Sequence, residues 1–188
     1  ENISQRHLHV AVAGVPGSGA AEVAAAVADV TLARLLHAPT ALPGCVRAAA
    51  HQSEPTAANR GWRERVEAYA APLRESQWPD DPHGTVADYW LEGVRLAADA
   101  WLPPEERESF LSAFHQVSRE TVCPHVVLFL EVRQQTLVER MAYRSHATDS
   151  SDVFADLVAT QAADGGERGV AALLALQEAM SDCLLHGG

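Results

Sequence analysis

Apolar positions in this chain fall into short continuous runs and helix-spaced stripes, and the two kinds alternate. His7 to Val15 alternates and then runs apolar into a glycine, as a parallel strand covered on both faces does. Gly19 to His37 carries Val23, Val27, Val30, Leu32 and Leu35-Leu36 at helical spacing, which predicts a helix with one broad apolar face. Ala38 to Gly44 reads as a loop, and Cys45 to Gln52 as a second strand that stops before Pro55. Ala57 to Leu73 is predicted helical, with Trp62, Val66, Tyr69 and Leu73 on one side. A Pro- and Asp-rich connection, Trp78 to Gly84, leads to a short strand over Thr85 to Asp88.

Leu91 to Leu102 is a helix halted by Pro103-Pro104, and Glu105 to Val117 is another whose acidic first turn suits the helix dipole. His125 to Val132 is the clearest strand of all. Gln134 to Tyr143 is helical, Ser145 to Ser151 a polar loop, and Val153 to Gln161 and Val170 to Leu185 are terminal helices. No last strand is recognisable after them. Strands alternating with helices imply an α/β fold, a three-layer sandwich around a central parallel sheet, in one domain spanning residues 1–188.

The turn after the first strand carries the most specific signal. Gly14-Val15-Pro16-Gly17-Ser18-Gly19 has the G-x-x-x-x-G frame of a phosphate-binding loop between a strand and a helix. In a working loop the next two residues are Lys, which reaches the phosphates, and Ser or Thr, whose hydroxyl holds Mg²⁺. Here they are Ala20 and Ala21. Gly14, Gly17, Ser18 and Gly19 can still aim backbone N–H groups at an anion. The competing reading is that these glycines serve only the turn and close helix packing.

Composition narrows the partners. The formal net charge is -11, so a nucleic-acid backbone is excluded as the main partner. All 14 basic residues are Arg, and no lysine from elsewhere in the chain can replace the missing one. No apolar run is long enough to cross a bilayer. Three scattered cysteines, Cys45, Cys123 and Cys183, suit reduced thiols and a cytoplasmic setting. His7-x-His9 is the one close histidine pair, and it reads as a strand end rather than a ligand pair. No metal site is assigned. The aromatic residues Trp62, Tyr69, Tyr89, Trp90 and Trp101 lie on or beside helices and read as core or interface.

Four segments in order resemble the deoxynucleoside kinase family. They are the strand–loop–helix of Val10 to Val30; Glu54-Pro55-x-x-x-Asn59 with the helix ending Tyr69-Ala70-Ala71-Pro72-Leu73; Val86-Ala87-Asp88-Tyr89-Trp90-Leu91-Glu92 running on to Leu102-Pro103; and Pro124 to Val132 followed by Leu137-Val138-Glu139-Arg140. The resemblance implies transfer of the ATP γ-phosphate to a deoxynucleoside 5′-hydroxyl, with ATP and Mg²⁺ bound where the site is functional. It implies Glu54 as general base, Asp88 as the acidic residue supporting the base and metal region, and Arg140 and Arg144 as arginines of a lid over about 140–152. An i, i+4 pair such as Arg140 and Arg144 can equally face solvent and pair with Glu139 or Asp149.

The chain departs from the family in the donor site, the acceptor site and the lid. Ala20 and Ala21 replace the loop Lys and hydroxyl, and Arg74 stands where the family reads the base with Gln. The stretch from Glu54 to Asp88 is short, and Ser145 to Ser151 is poor in arginine. Removing one preorganised charge-stabilising group costs about a hundred- to a thousandfold in rate. The expectation is therefore a non-catalytic kinase-like domain acting as a homo-oligomer or as a subunit with a protein partner. The alternatives are a residual deoxynucleoside kinase using Arg for Lys, with Arg74 or Arg140 at the loop mouth, and a nucleotide-binding sensor.

Overall fold

The computed structural model describes residues 8–39, 55–74, 83–145 and 167–186; the side chains of 55–58, 141–145 and 167–168 lie outside that description. The elements are β1 (His9–Gly14), α1 (Ala20–Thr31), β2 (Arg34–Leu36), α2 (Pro55–Ala70) with a 3-10 turn (Ala71–Leu73), and β3 (Thr85–Ala87). After these come α3 (Leu91–Trp101), α4 (Pro104–Ser118), β4 (Val126–Leu130), α5 (Gln134–Ser145) and α6 (Glu167–His186). Among the described residues the sheet has four strands in the order β2-β3-β1-β4. Every pairing is parallel, with Val10 opposite Val86 and Val126 on either side.

β1 is central because it can be buried on both faces, and its side chains divide by the two-residue period of a strand. Val10 and Val12 pack with Ala24 and Ala28 of α1. Ala13 instead joins the larger core of Trp62, Val66, Phe110, Leu137 and Leu173, drawn from α2, α4, α5 and α6. Helices therefore cover both faces of the sheet. No helix among the described residues is long and apolar enough to cross a membrane.

The predicted helix over Gly19 to His37 is corrected by the structure. α1 ends at Thr31, and Leu32 takes a left-handed conformation with φ 57°. Its N–H donates to Asp29 O, and the Ala33 N–H reaches back to Ala28 O, which is the double closure of a Schellman cap. Arg34–Leu36 then pairs with Thr85–Ala87 as the edge strand β2. The segment Cys45 to Gln52, predicted as the second strand, lies outside the described residues. So do the polar loop Ser145 to Ser151 beyond its first residue, the predicted helix Val153 to Gln161, and His7.

β4 is shorter than the predicted His125 to Val132 and is the other edge among the described residues. Val126 is 42% exposed there, although the sequence Val126-Val127-Leu128-Phe129-Leu130 is wholly apolar. The strand is legible from composition alone; its position at an edge is not.

Candidate functional site

In a parallel sheet the carboxyl ends of the strands face one crevice, and ligands bind there. Here the residues following β1, β2 and β3 converge on a cleft of about 380 Å³ lined by Gly14–Glu22, His37–Pro39 and Asp88–Trp90. Tyr69 of α2 and Leu176 and Met180 of α6 complete its wall.

The loop after β1 keeps its backbone frame. Gly17 and Gly19 have φ of 86° and 93°, a region that L side chains rarely adopt. The Ser18 N–H donates to Val15 O at 2.9 Å, closing the turn. A Cβ on Gly14 would lie 2.8 Å from Ser18 Cβ, so Gly14 is required by close approach. Ser18 is buried, and its hydroxyl has no hydrogen-bond partner among the described residues. Ala20 and Ala21 open α1, with Glu22 as the acidic residue of its first turn.

Arg140 comes to this loop from α5. Its Nη1 donates to Gly17 O at 2.6 Å and would lie 3.5 Å from a Cβ on Gly19. Of the two arginines considered as substitutes for lysine, Arg140 is the one at the loop. Arg74 is turned away, paired with Glu67 at 2.5 Å and with Glu120 at 3.5 Å. The Arg144 side chain is outside the described residues, as is Glu54.

Asp88 follows β3 and is almost fully buried. Its N–H continues the ladder to Leu36 O at 3.0 Å. Its Oδ2 lies 2.9 Å from His37 Nδ1, and its Oδ1 accepts the Ala38 N–H at 2.5 Å. Both carboxylate oxygens are thus engaged by the end of β2. Sequence reasoning passed over His37 because it sat inside a predicted helix. Once β2 is recognised, His37 is the residue at that strand's carboxyl end.

Tyr69 and Tyr89 meet edge to face, 5.0 Å between ring centroids, beside Asp88. The Tyr89 hydroxyl is buried without a hydrogen-bond partner among the described residues. Burial, and then the neighbouring Asp88 charge, push its pKa well above the ordinary tyrosine range. The aromatic residues therefore divide. Trp62 and Trp101 stack on each other at 6.0 Å, whereas Tyr69, Tyr89 and Trp90 line the cleft.

Mg²⁺, which the kinase resemblance implies, does not fit these residues. Ala21 has no side-chain oxygen at the helix start, and both oxygens of Asp88 already accept hydrogen bonds from the end of β2, so a cation there would compete with His37 and the Ala38 N–H.

No family model and no curated protein matches the sequence. Among solved structures the chain is similar to deoxyadenosine kinase from M. mycoides with bound dATP, at 12% identity and a TM-score of 0.59 over 86% of each chain. It is also similar to that kinase with the products dCMP and a flexible dCDP, at 12% identity and a TM-score of 0.60, over 94% of this chain and 98% of the other. The likeness is one of fold. This chain has the P-loop nucleoside-kinase fold: a parallel α/β sheet flanked by helices, as the order of its sequence elements implies.

Proposed function

We propose that this chain is a deoxynucleoside-kinase-like domain that binds a nucleoside or nucleotide in the cleft without supporting turnover, and that a protein partner or second copy responds to the bound state. The observation carrying this reading is the combination at the loop. The glycine frame is kept, Ala20 and Ala21 supply neither cation nor metal ligand, and Arg140 delivers a guanidinium to Gly17. Backbone N–H groups at a helix start together with one arginine suffice to hold a phosphate. They do not supply the metal and the cations that phosphoryl transfer draws on. Two such losses leave on the order of a ten-thousandth or less of a working rate.

A residual kinase is the second reading, favoured by the same Arg140 contact. Calorimetric titration with ATP and the four deoxynucleosides, alongside a turnover assay, separates the two. Micromolar binding without ATP-dependent phosphorylation supports the first reading. Phosphorylation of a deoxynucleoside establishes the second, and no heat from any ligand with a folded chain refutes both.

A further inference from the structure

The disagreement between this cleft and a divalent cation indicates what the cleft accepts instead. Asp88 is 6% exposed and is held on the β2 side by two donors, so its charge is directed at His37 rather than at the ligand. His37 is 66% exposed and lines the cleft. With Nδ1–H donated to Asp88, the imidazole ring is fixed in orientation, and Nε2 is the nitrogen left for a ligand. In its imidazolium form it donates from Nε2 to an anionic oxygen, and the buried carboxylate supplies the counter-charge.

Charge matching then selects the ligand. The cleft offers the loop N–H groups at the start of α1 and His37, against Glu22 at the rim, while Arg140 holds Gly17 O from an adjoining pocket that it shares with Glu22 and Glu139. A phosphomonoester carries roughly 1.5 to 2 negative charges near neutrality and three acceptor oxygens, which the loop N–H groups and an imidazole donor can meet. A triphosphate carries more, and it ordinarily arrives with a metal for which no group of three ligating side chains is found among the described residues. The hydroxyls of Ser18 and Tyr89, without a hydrogen-bond partner among the described residues, are further polar groups in the same wall.

Resting on the binding role given above, we propose that His37, held by Asp88, is the phosphate-contacting residue of this cleft, and that the cleft takes a nucleoside monophosphate free of divalent cation. The test is calorimetric titration of the full chain with dAMP and with deoxyadenosine, in EDTA and again in excess Mg²⁺.

The wild-type chain is expected to prefer dAMP by about tenfold or more, with no gain from Mg²⁺, as charge-assisted hydrogen bonds warrant. His37→Phe is expected to lose about tenfold for dAMP and to leave deoxyadenosine within about twofold. In the wild-type chain the ¹⁵N signal of His37 Nε2 should shift on adding dAMP and not on adding deoxyadenosine, a readout that needs no variant to fold. Deoxyadenosine binding with no preference for dAMP, no loss in His37→Phe, or a requirement for Mg²⁺ overturns this inference and leaves the binding role standing. Failure of both ligands, and of ATP, overturns both.

Discussion

The side-chain amide of Gln177 takes up both backbone hydrogen-bonding groups of Val132. The Val132 N–H donates to Oε1 at 2.8 Å, and Nε2 donates to Val132 O at 3.2 Å. A single side chain on α6 thus answers the backbone just past β4 as a neighbouring strand would. Gln177 is itself buried, so losing it leaves a donor and an acceptor unsatisfied in the core. Gln177→Leu is expected to destabilise the chain by about 2 kcal/mol, measured by urea denaturation. An unchanged midpoint would mean that water replaces the amide without loss.

Arg140 is the cation at the loop, and its contact crosses from α5 to Gly17. Arg140→Ala is expected to weaken nucleotide binding by about tenfold, from one lost charge-assisted contact. Stability should change by less than about 1 kcal/mol, because Arg140 is exposed and its contact lies outside the core. Calorimetry and thermal melting on the same samples check the two halves.

Leu32 closes α1 in a left-handed conformation that costs an L side chain about 1 kcal/mol, and it is 70% exposed, so little apolar burial offsets the strain. Leu32→Gly removes the strain while adding some freedom to the unfolded chain. A net gain of roughly 0.5 kcal/mol is expected, seen as a higher melting temperature. A fall would show that Leu32 packs in a way its exposure conceals.

His9 is fully enclosed at the start of β1, and its backbone N–H meets His125 Nδ1 at 3.0 Å. Burial lowers its pKa to about 4, against a smaller upward pull from hydrogen bonding with the Val122 backbone. An unfolded histidine titrates near 6.5, so the folded state favours the neutral ring. Its contribution is complete above about pH 6.5 and is lost as pH falls through 4, on the order of 3 kcal/mol in all. Urea midpoints from pH 7.5 to pH 4 should fall less steeply for His9→Leu than for the wild-type chain.

Much of the scaffold was legible in the residue order. Gly14 to Gly19 placed the loop, Pro103-Pro104 separated α3 from α4, and the apolar run from Val126 marked a strand. The end of α1 was hidden, because Leu32 does without glycine what helix stops ordinarily do with it. That error concealed β2 and with it His37, whose partner Asp88 lies 51 positions downstream. Arg140 was anticipated at the phosphates, but its hold on Gly17 across 123 positions follows from packing alone. Glu54, the base implied by the family resemblance, lies outside the described residues; the residue at the carboxyl end of β2 is His37.

The central position of β1 governs when the site can come into being. Its neighbours are Thr85–Ala87 and Val126–Leu130, both distant in sequence, so β1 has no partner until residues 85–87 are made and lacks its second until residues 126–130 follow. The loop it carries is completed later still, when α5 brings Arg140 back to Gly17. A nucleotide cannot therefore act as an early template for folding. It can only bind, and so stabilise, a domain whose sheet has already closed, and any dependence of its yield in cells on nucleotide supply must act after that closure.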